Sequence, residues 1–355
     1  MLIDRFGRKI TYMRLSVTDR CNLRCVYCMP ENGITWQPHE KIMRFEEMIK
    51  ILEVAVKNGI DSVRLTGGEP LVRKGIAKLI KLISDIEGIK DISLTTNGIL
   101  LKDMAQELAD AGLNRLNISL DTLQAKRYKR ITRVGDWDQV WNGIIKAEEA
   151  GLSPIKINAV VINGINDDEI CDMAMLTMEK EWHIRFIEFM PFNDLHGLDL
   201  FAEEEQDPYF SVQDMISKLK PLGLSYIGPK VGSGPAEVYK INNAKGYIGF
   251  IAPVGDHFCK TCNRLRLTAD GNLRPCLLSN KEIPVLPAIR AGEPIFPYLQ
   301  KAVDIKPISH HLSSQASHFS RCMMQIGGLY PKILSSAKLT VACIPKARNN
   351  ETIFI

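Results

Sequence analysis

The sequence lacks the features that would place the chain in a membrane or on a nucleic acid. No run approaches the roughly 18 consecutive apolar residues of a membrane-spanning helix. The first residues, Met1-Leu2-Ile3-Asp4-Arg5, contain no apolar stretch of the kind that a secretory signal needs. Lysine and arginine total 45 against 41 acidic residues, so the formal charge of +4 is far from the basic excess of a nucleic-acid-binding domain. We therefore expect a soluble, intracellular protein whose partners include neither membrane nor nucleic acid.

The cysteines are the most informative part of the composition. The 355 residues are 45% hydrophobic and 24% charged, an ordinary globular composition that excludes a disordered tail, a coiled coil or a disulfide-stapled mini-protein. Six of the nine cysteines fall in two tight groups. In a reducing compartment such groups bind metal more often than they form structural disulfides. The sequence thus predicts metal centres in a cytoplasmic protein, or in a mitochondrial matrix protein if the source is eukaryotic.

A strand-then-helix rhythm runs from residue 11 to about residue 192 and predicts a parallel sheet of right-handed βαβ units. Six units could form an open sheet or most of a barrel. We favour the barrel because the unusual residues gather in the loops just after the strands, where α/β barrels carry their chemistry. The predicted strands are 11–18, 62–66, 91–96, 115–120, 156–162 and 184–190, and predicted helices include 45–58, 76–86 and 103–111.

The rhythm stops after Met190. An acidic stretch at 203–207 leads to a predicted helix at 212–220, a Gly/Pro-rich loop at 228–235, and strands at 247–252 and 265–269 that resemble antiparallel β structure with a turn at 270–272. We place a domain boundary near residue 235. The predicted units are 1–235, 236–328 and a C-terminal extension, 329–355.

The first cysteine group is a C-x3-C-x2-C triplet, Cys21, Cys25 and Cys28, directly after the first predicted strand. Thiolates are soft ligands that suit zinc, copper(I) or iron–sulfur clusters. Zinc sites usually complete four ligands, whereas this group has three cysteines and its nearest histidine is His39. Three thiolates on a four-iron cluster leave one iron open to a substrate. The alternatives are a three-cysteine zinc site and a ferredoxin-like centre.

The second group is Cys259, Cys262 and Cys276. His257 would complete a Cys3His zinc site, which is the alternative by spacing alone. Arg264 and Arg266 follow at once, however. Two cations have no purpose beside a closed structural zinc, but beside an open cluster they would face an anionic substrate. We therefore favour a second cluster.

The first triplet, with Tyr27 before its last cysteine, resembles the signature of the radical S-adenosylmethionine enzymes. The stretch 258–271 is very similar to one subfamily, the GTP 3′,8-cyclases of molybdenum cofactor biosynthesis, and 18–25, 65–70, 95–98 and 188–191 match as well. The resemblance covers about residues 2–328. It implies a radical-SAM partial (β/α)6 barrel of the α/β class with a C-terminal α+β region that carries a second iron–sulfur cluster.

The resemblance assigns cofactors to particular residues. It implies one [4Fe-4S] cluster on Cys21, Cys25 and Cys28, a second on Cys259, Cys262 and Cys276, and S-adenosylmethionine against Tyr27, Gly68, Ser119 and Met190. Glycine at position 68 also has its own reason, since a side chain would block close backbone approach. The alternatives are a plain turn at Gly68, a strand-end hydroxyl at Ser119 and a core methionine at Met190.

The resemblance further implies a GTP site lined by Arg14, Arg64, Thr95, Lys156, Arg264 and Arg266. Arginine on a buried strand is costly unless it meets an anion, and the guanidinium fork suits phosphate. For any one of these arginines the alternative is an ordinary surface ion pair. The sequence has no Gly-x4-Gly-Lys-Ser/Thr loop, which excludes a P-loop GTPase.

The implied reaction starts when a 5′-deoxyadenosyl radical removes hydrogen from C3′ of GTP. The carbon radical then adds to C8 of guanine and yields (8S)-3′,8-cyclo-7,8-dihydroguanosine 5′-triphosphate. The resemblance also implies an electron donor and, as pathway partner, a downstream cyclic pyranopterin monophosphate synthase, and it allows a homodimer. The rivals are another two-cluster enzyme acting on a peptide or small molecule, and a non-enzymatic zinc or electron-transfer protein.

The family ends in a double glycine that reaches toward the active site. Here Gly327-Gly328 is followed by residues 329–355. This extension would either hold the glycines out of the site or act as a slack tail.

Overall fold

The computed structural model describes residues 1–190, 207–228, 234–254 and 258–310. Within these ranges all strands form one 12-stranded sheet, whose central six strands lie side by side in chain order and are parallel. These six are β1 (Tyr12–Ser16), β2 (Ser62–Thr66), β3 (Asp91–Thr96), β4 (Arg115–Ser119), β5 (Ile155–Val161) and β6 (His183–Glu188). All six predicted strands are therefore confirmed, with small differences at their ends.

Helices connect the parallel strands and bury one apolar face each. They are α1 (Phe45–Lys57), α2 (Ile76–Ser84), α3 (Leu101–Asp110), α4 (Ala125–Thr132), α5 (Trp137–Glu149) and α6 (Ile170–Glu179). In α2, Ile76, Leu79, Ile80 and Ile83 are fully buried, at the i, i+3, i+4, i+7 spacing of one helix face. Each such side chain contributes about 1.5–3 kcal/mol by its burial. The helices predicted at 45–58, 76–86 and 103–111 are confirmed.

The C-terminal strands extend the sheet on both sides of the central six. On one side β9 (Tyr247–Ile251) pairs parallel with β6, and on the other β10 (Arg264–Leu267) pairs parallel with β1. The remaining elements are β7 (Ser225–Gly228), β8 (Glu237–Lys240), β11 (Asn272–Arg274), β12 (Ile283–Pro284), α7 (Val212–Leu219), α8 (Leu286–Ala291) and α9 (Phe296–Asp304). The predicted helix at 212–220 is α7.

The prediction of purely antiparallel structure after residue 235 is wrong in part. β9 and β10 are strands, and each has one antiparallel neighbour, β8 and β11 respectively. Their other neighbours are the outermost strands of the parallel set. A local turn such as Asp270-Gly271 reveals only the hairpin partner, because a parallel partner lies far away in sequence.

The two edge strands of the sheet are β7 and β12, and within the described residues they do not pair with each other, so the sheet does not close into a full barrel. The architecture is therefore an α/β partial barrel with a C-terminal α+β region, as predicted. No described helix has both the length and the apolar character that crossing a membrane requires. The acidic stretch 203–206, most of the loop 228–235, His257, Gly327-Gly328 and the extension 329–355 lie outside the described residues.

Candidate active site

One cavity at the carboxyl ends of the parallel strands collects nearly all the predicted site residues. These ends lie at one edge of the barrel, so the loops after different strands face a common space. The predicted residues that line it are Cys21, Cys25, Tyr27, Cys28, Gly68, Ser119, Met190, Arg14, Arg64, Thr95, Cys259, Cys262, Arg264, Arg266 and Cys276. Lys156 is the one predicted residue that does not line it.

The first cysteine triplet lies in a tight loop after β1. The backbone N–H groups of Cys28 and Met29 donate to the carbonyl oxygen of Cys25 at 2.9 and 3.0 Å. Burial raises the pKa of the Cys21 thiol to about 11 and that of Cys25 well above its usual value. Buried thiols of this kind ionise readily only beside a positive charge, which a bound metal centre provides.

The sulfur of Cys21 already receives hydrogen bonds that suit a thiolate. The backbone N–H of Leu23 donates to it at 3.4 Å, and the side-chain amide of Asn97 donates at 3.9 Å. Within the described ranges, no group of three or more His, Cys, Asp or Glu residues could hold a single metal ion. The N–H donors beside Cys21 suit a cluster-bound thiolate, whose negative charge they stabilise.

The second triplet is assembled from two chain segments. Cys259 lies within a short 3-10 turn at 258–261, Cys262 directly follows this turn before β10, and Cys276 follows β11. Burial raises the pKa of the Cys259 thiol. Burial would also raise the pKa of Cys262, but the charges of Lys306 and Arg264 outweigh it and lower that pKa. The Cys3His alternative depends on His257, which lies outside the described residues.

The glycine turn after β2 is packed directly on the loop that precedes Cys21. The N–H groups of Gly68 and Glu69 donate to the carbonyl oxygens of Thr18 and Arg20 at 2.9 and 2.8 Å. A Cβ at Gly68 would lie 2.1 Å from the oxygen of Arg20, which is far too close for any real contact. Glycine is required here because two backbone segments of the protein itself meet.

Glu69 is a site residue that the sequence analysis missed. Its buried carboxylate accepts hydrogen bonds from the N–H of Leu71 (3.0 Å), the hydroxyl of Thr96 (2.7 Å) and the N–H of Asn97 (2.6 Å). Burial outweighs these bonds and raises the pKa of Glu69 to about 7. Glu69 therefore ties the loop after β2 to the loop after β3, and it fixes Asn97 beside Cys21.

We expect Glu69→Leu to lower the free energy of unfolding of the cluster-free protein by about 3–5 kcal/mol, because three buried donors lose their acceptor. Urea unfolding followed by circular dichroism measures this. Glu87→Leu, on an exposed residue, is the control. An unfolding midpoint equal to that of the control would contradict the bracing role of Glu69.

A second missed carboxylate holds Tyr27. Asp121 accepts the phenolic hydrogen of Tyr27 and, at 2.9 Å, the backbone N–H of Val160 on β5. Burial raises the pKa of Asp121 to about 6. Asp121 thereby connects Tyr27, in the cysteine loop, to β5. Ser119 lies two residues before Asp121, at the end of β4. The signal in the sequence was a carboxylate just after a predicted strand.

The lining of the cavity also contains a strongly cationic group. Arg14 on β1 lies in register with Arg64 on β2 and with Arg266 on β10. Burial and neighbouring arginines lower the pKa of Arg14 well below its usual value and that of Arg266 to about 10. The Nε of Arg14 is buried without a hydrogen-bond partner. Like charges held together in this way indicate that the site is built to receive an anion.

Arg185 on β6 belongs to the same cationic group, although the sequence analysis did not select it. It lines the cavity, and its Nη1 donates to the side-chain oxygen of Asn117 at 3.2 Å. Burial and the charges of Arg64 and Arg115 lower its pKa to about 9. The available signal was the one used for Arg14, an arginine within a predicted buried strand.

Lys156 lies on β5 and is 6% exposed. Burial and the nearby charges of Arg185 and Arg115 lower its pKa to about 6. It thus lies near the arginine group, but its side chain is outside the cavity lining, and its predicted contact with GTP stays a prediction.

Two protein-family models match this chain. Residues 15–177 match the radical SAM superfamily, and residues 182–312 match the family described as Molybdenum Cofactor Synthesis C. Among solved structures, Streptococcus suis SuiB bound to its precursor peptide SuiA is similar with a TM-score of 0.58 and 16% identity, covering 91% of this chain and 71% of that one. SuiB bound to S-adenosylmethionine gives a TM-score of 0.55 at 15% identity, covering 82% and 68%. At such identities the likeness shows the fold alone.

Curated relatives are much more similar in sequence. A GTP 3′,8-cyclase of Heliobacterium modesticaldum is 47% identical over 92% of this chain and 100% of its own length. One of Alkaliphilus metalliredigens is 48% identical, and one of Listeria monocytogenes is 45% identical, each over 92% of this chain and 99% of the relative.

The fold, the first cysteine triplet and the matching superfamily model together define a radical S-adenosylmethionine enzyme. Within that class, the similarity to the curated relatives extends over nearly their whole length. The chain belongs to the GTP 3′,8-cyclase family.

Proposed function

We propose that this protein converts GTP to (8S)-3′,8-cyclo-7,8-dihydroguanosine 5′-triphosphate, the first step of molybdenum cofactor biosynthesis. The main support for this proposal is that two cysteine triplets and a buried arginine group line a single cavity. A radical enzyme needs one metal centre for S-adenosylmethionine, and a nucleoside triphosphate needs concentrated positive charge. The family, and the names of the curated relatives, support the same substrate.

Two [4Fe-4S] clusters and S-adenosylmethionine are the cofactors of this family. The residues fit them, because each triplet provides three thiols and the loop around Cys21 provides donors to sulfur. We assign Cys21, Cys25 and Cys28 to the first cluster, and Cys259, Cys262 and Cys276 to the second. When bound, the first cluster supplies the electron that cleaves S-adenosylmethionine and gives the radical that takes hydrogen from C3′.

The residues of the chain bind and orient the reactants. We assign Tyr27, Gly68, Ser119 and Met190 to the side that holds S-adenosylmethionine, with Tyr27 fixed by Asp121. The arginines that line the cavity would hold the triphosphate. They are Arg14, Arg64, Arg185, Arg264 and Arg266. Thr95 lines the cavity beside the glycine turn. Holding the two reactants at fixed positions in one cavity raises their effective concentration.

Several further features belong to this proposal. An electron donor must reduce the first cluster, a cyclic pyranopterin monophosphate synthase would consume the product, and a homodimer is compatible with the family.

We propose the cytoplasm as location, since free thiols require a reducing compartment and the similar relatives quoted above are bacterial. We also retain the division of the chain into 1–235, 236–328 and 329–355.

The test combines metal analysis with a product assay. Anaerobically prepared protein is expected to be brown and to hold about eight irons if two four-iron clusters form. Reduced protein with S-adenosylmethionine is expected to form 5′-deoxyadenosine faster with GTP than with ATP, CTP or UTP, and to form the cyclic nucleotide. Colourless protein with bound zinc would support the non-enzymatic rival. Turnover that no nucleotide accelerates would contradict the substrate and favour a peptide or another small molecule.

A further inference from the structure

Lys306 is a buried cation that lies directly against the second cysteine triplet. It follows α9 and is 2% exposed. Its ammonium group donates to the carbonyl oxygens of Arg264 and Pro275, each at 2.7 Å, and its positive charge lowers the pKa of the nearby Cys262 thiol. Of the three N–H donors of a lysine ammonium, two are held by backbone carbonyl groups here.

The acceptors of Lys306 come from both segments that carry the triplet. Arg264 lies two residues after Cys262, and Pro275 immediately precedes Cys276. One ammonium group therefore joins the two segments at a fixed separation. Unlike the two carbonyl oxygens, the nearby sulfur of Cys262 can carry a full negative charge, so the position of the cation is suited to a thiolate at Cys262.

Arg8 connects the turn that carries Cys259 to the chain segment that carries Lys306. Its Nη1 donates to the carbonyl oxygen of Cys259 at 2.7 Å, and its Nη2 donates to that of Pro307, the residue after Lys306, at 2.6 Å. Its Nε is held at 2.6 Å by the fully buried carboxylate of Asp4. Arg8 thus fixes the turn that carries Cys259 and the backbone position of Lys306 together.

We propose that Lys306 is the buried counter-charge and a positioning residue of the second cluster, and that Arg8 locks it in place. This rests on the proposed function in that the second triplet must hold a cluster. The reduction potential of an iron–sulfur cluster depends on nearby charge and on hydrogen bonds to its sulfurs. A cation at Cys262 favours the reduced, more negative state of the cluster, so removing it makes reduction harder.

The counter-charge is tested on the second cluster alone. The full-length chain carrying Cys21→Ser, Cys25→Ser and Cys28→Ser is reconstituted anaerobically, and its reduction is followed by electron paramagnetic resonance at controlled potentials. If this parent binds no iron, the second triplet holds no cluster, and the proposed function and the counter-charge proposal both fail. Lys306→Met is expected to shift the midpoint to a more negative potential. Lys301→Met, on an exposed lysine of α9, is the control and is expected to shift nothing.

The positioning role has its own measurement, in the chain with both triplets intact. Arg8→Met is expected to speed the loss of iron from the second site to a chelator several-fold, while the first site keeps its iron. Arg5→Met, on an exposed neighbour, is the control. Selective loss of about four irons from Lys306→Met would also support positioning. Full iron content with a midpoint and a chelation rate equal to the controls would overturn the proposal.

Discussion

Arg266→Met is expected to weaken GTP binding by about 30-fold to several thousand-fold, which corresponds to the roughly 2–5 kcal/mol lost when one partner of a buried charge contact is removed. Arg266 is 6% exposed and lies in register with Arg14 at the centre of the cationic group. Burial, followed by the charge of Arg264, lowers its pKa to about 10, so the arginines repel one another when no anion is present.

The same variant is expected to leave the stability of the substrate-free protein unchanged or to raise it, because one of several mutually repelling charges is gone. Calorimetric binding of GTP to the reconstituted protein and urea unfolding without GTP measure the two effects. Uncoupled cleavage of S-adenosylmethionine is expected to continue. Arg5→Met serves as the surface control. A lower unfolding free energy with loss of both clusters would mean that Arg266 is structural.

Gly68→Ala is expected to reduce cleavage of S-adenosylmethionine at least 100-fold, as about 3 kcal/mol of misplacement would do. The added methyl group would lie 2.1 Å from the carbonyl oxygen of Arg20 and 2.6 Å from its carbonyl carbon. Both are backbone atoms, so no side-chain rotation relieves the clash. The glycine turn must move away from the loop that leads into Cys21, and this displaces the first cluster relative to its neighbours.

Gly151→Ala is the matched control for this prediction. It adds the same methyl group at a position where no atom lies within 4 Å, and it carries only the strain of a φ of +76°. That strain costs about 1–2 kcal/mol of stability. 5′-Deoxyadenosine formation at saturating S-adenosylmethionine compares the two variants. Equal activities would show that the close approach at Gly68 has no part in positioning the site.

The sequence predicts well those parts of the molecule whose signal is local. Alternating strand and helix patterns reveal the six central strands, and cysteine spacing reveals two triplets that the structure brings to one cavity. The placement of Arg264 and Arg266 after Cys262 predicts an anion site from a local signal too, and both residues line that cavity. Each of these inferences uses residues that are near one another in the chain.

The parts that escape prediction depend on partners far apart in sequence. Glu69 has the ordinary appearance of a turn residue until Asn97 is seen to donate to it, and Arg8 lies 251 residues from the carbonyl group of Cys259 that it holds. Lys306 has no distinguishing neighbours in the sequence. The parallel pairing of β10 with β1 is hidden for the same reason, since nothing near Leu265 points to Met13.

The pairing of β10 with β1 has a consequence for biosynthesis. Tyr12 on the first strand is aligned with Arg264 on the tenth, so the ribosome releases the first triplet long before the second one is made. Contacts across so many residues also slow folding of the completed chain. Cys21, Cys25 and Cys28 are therefore synthesised, and remain exposed, before β10, which pairs with β1, exists.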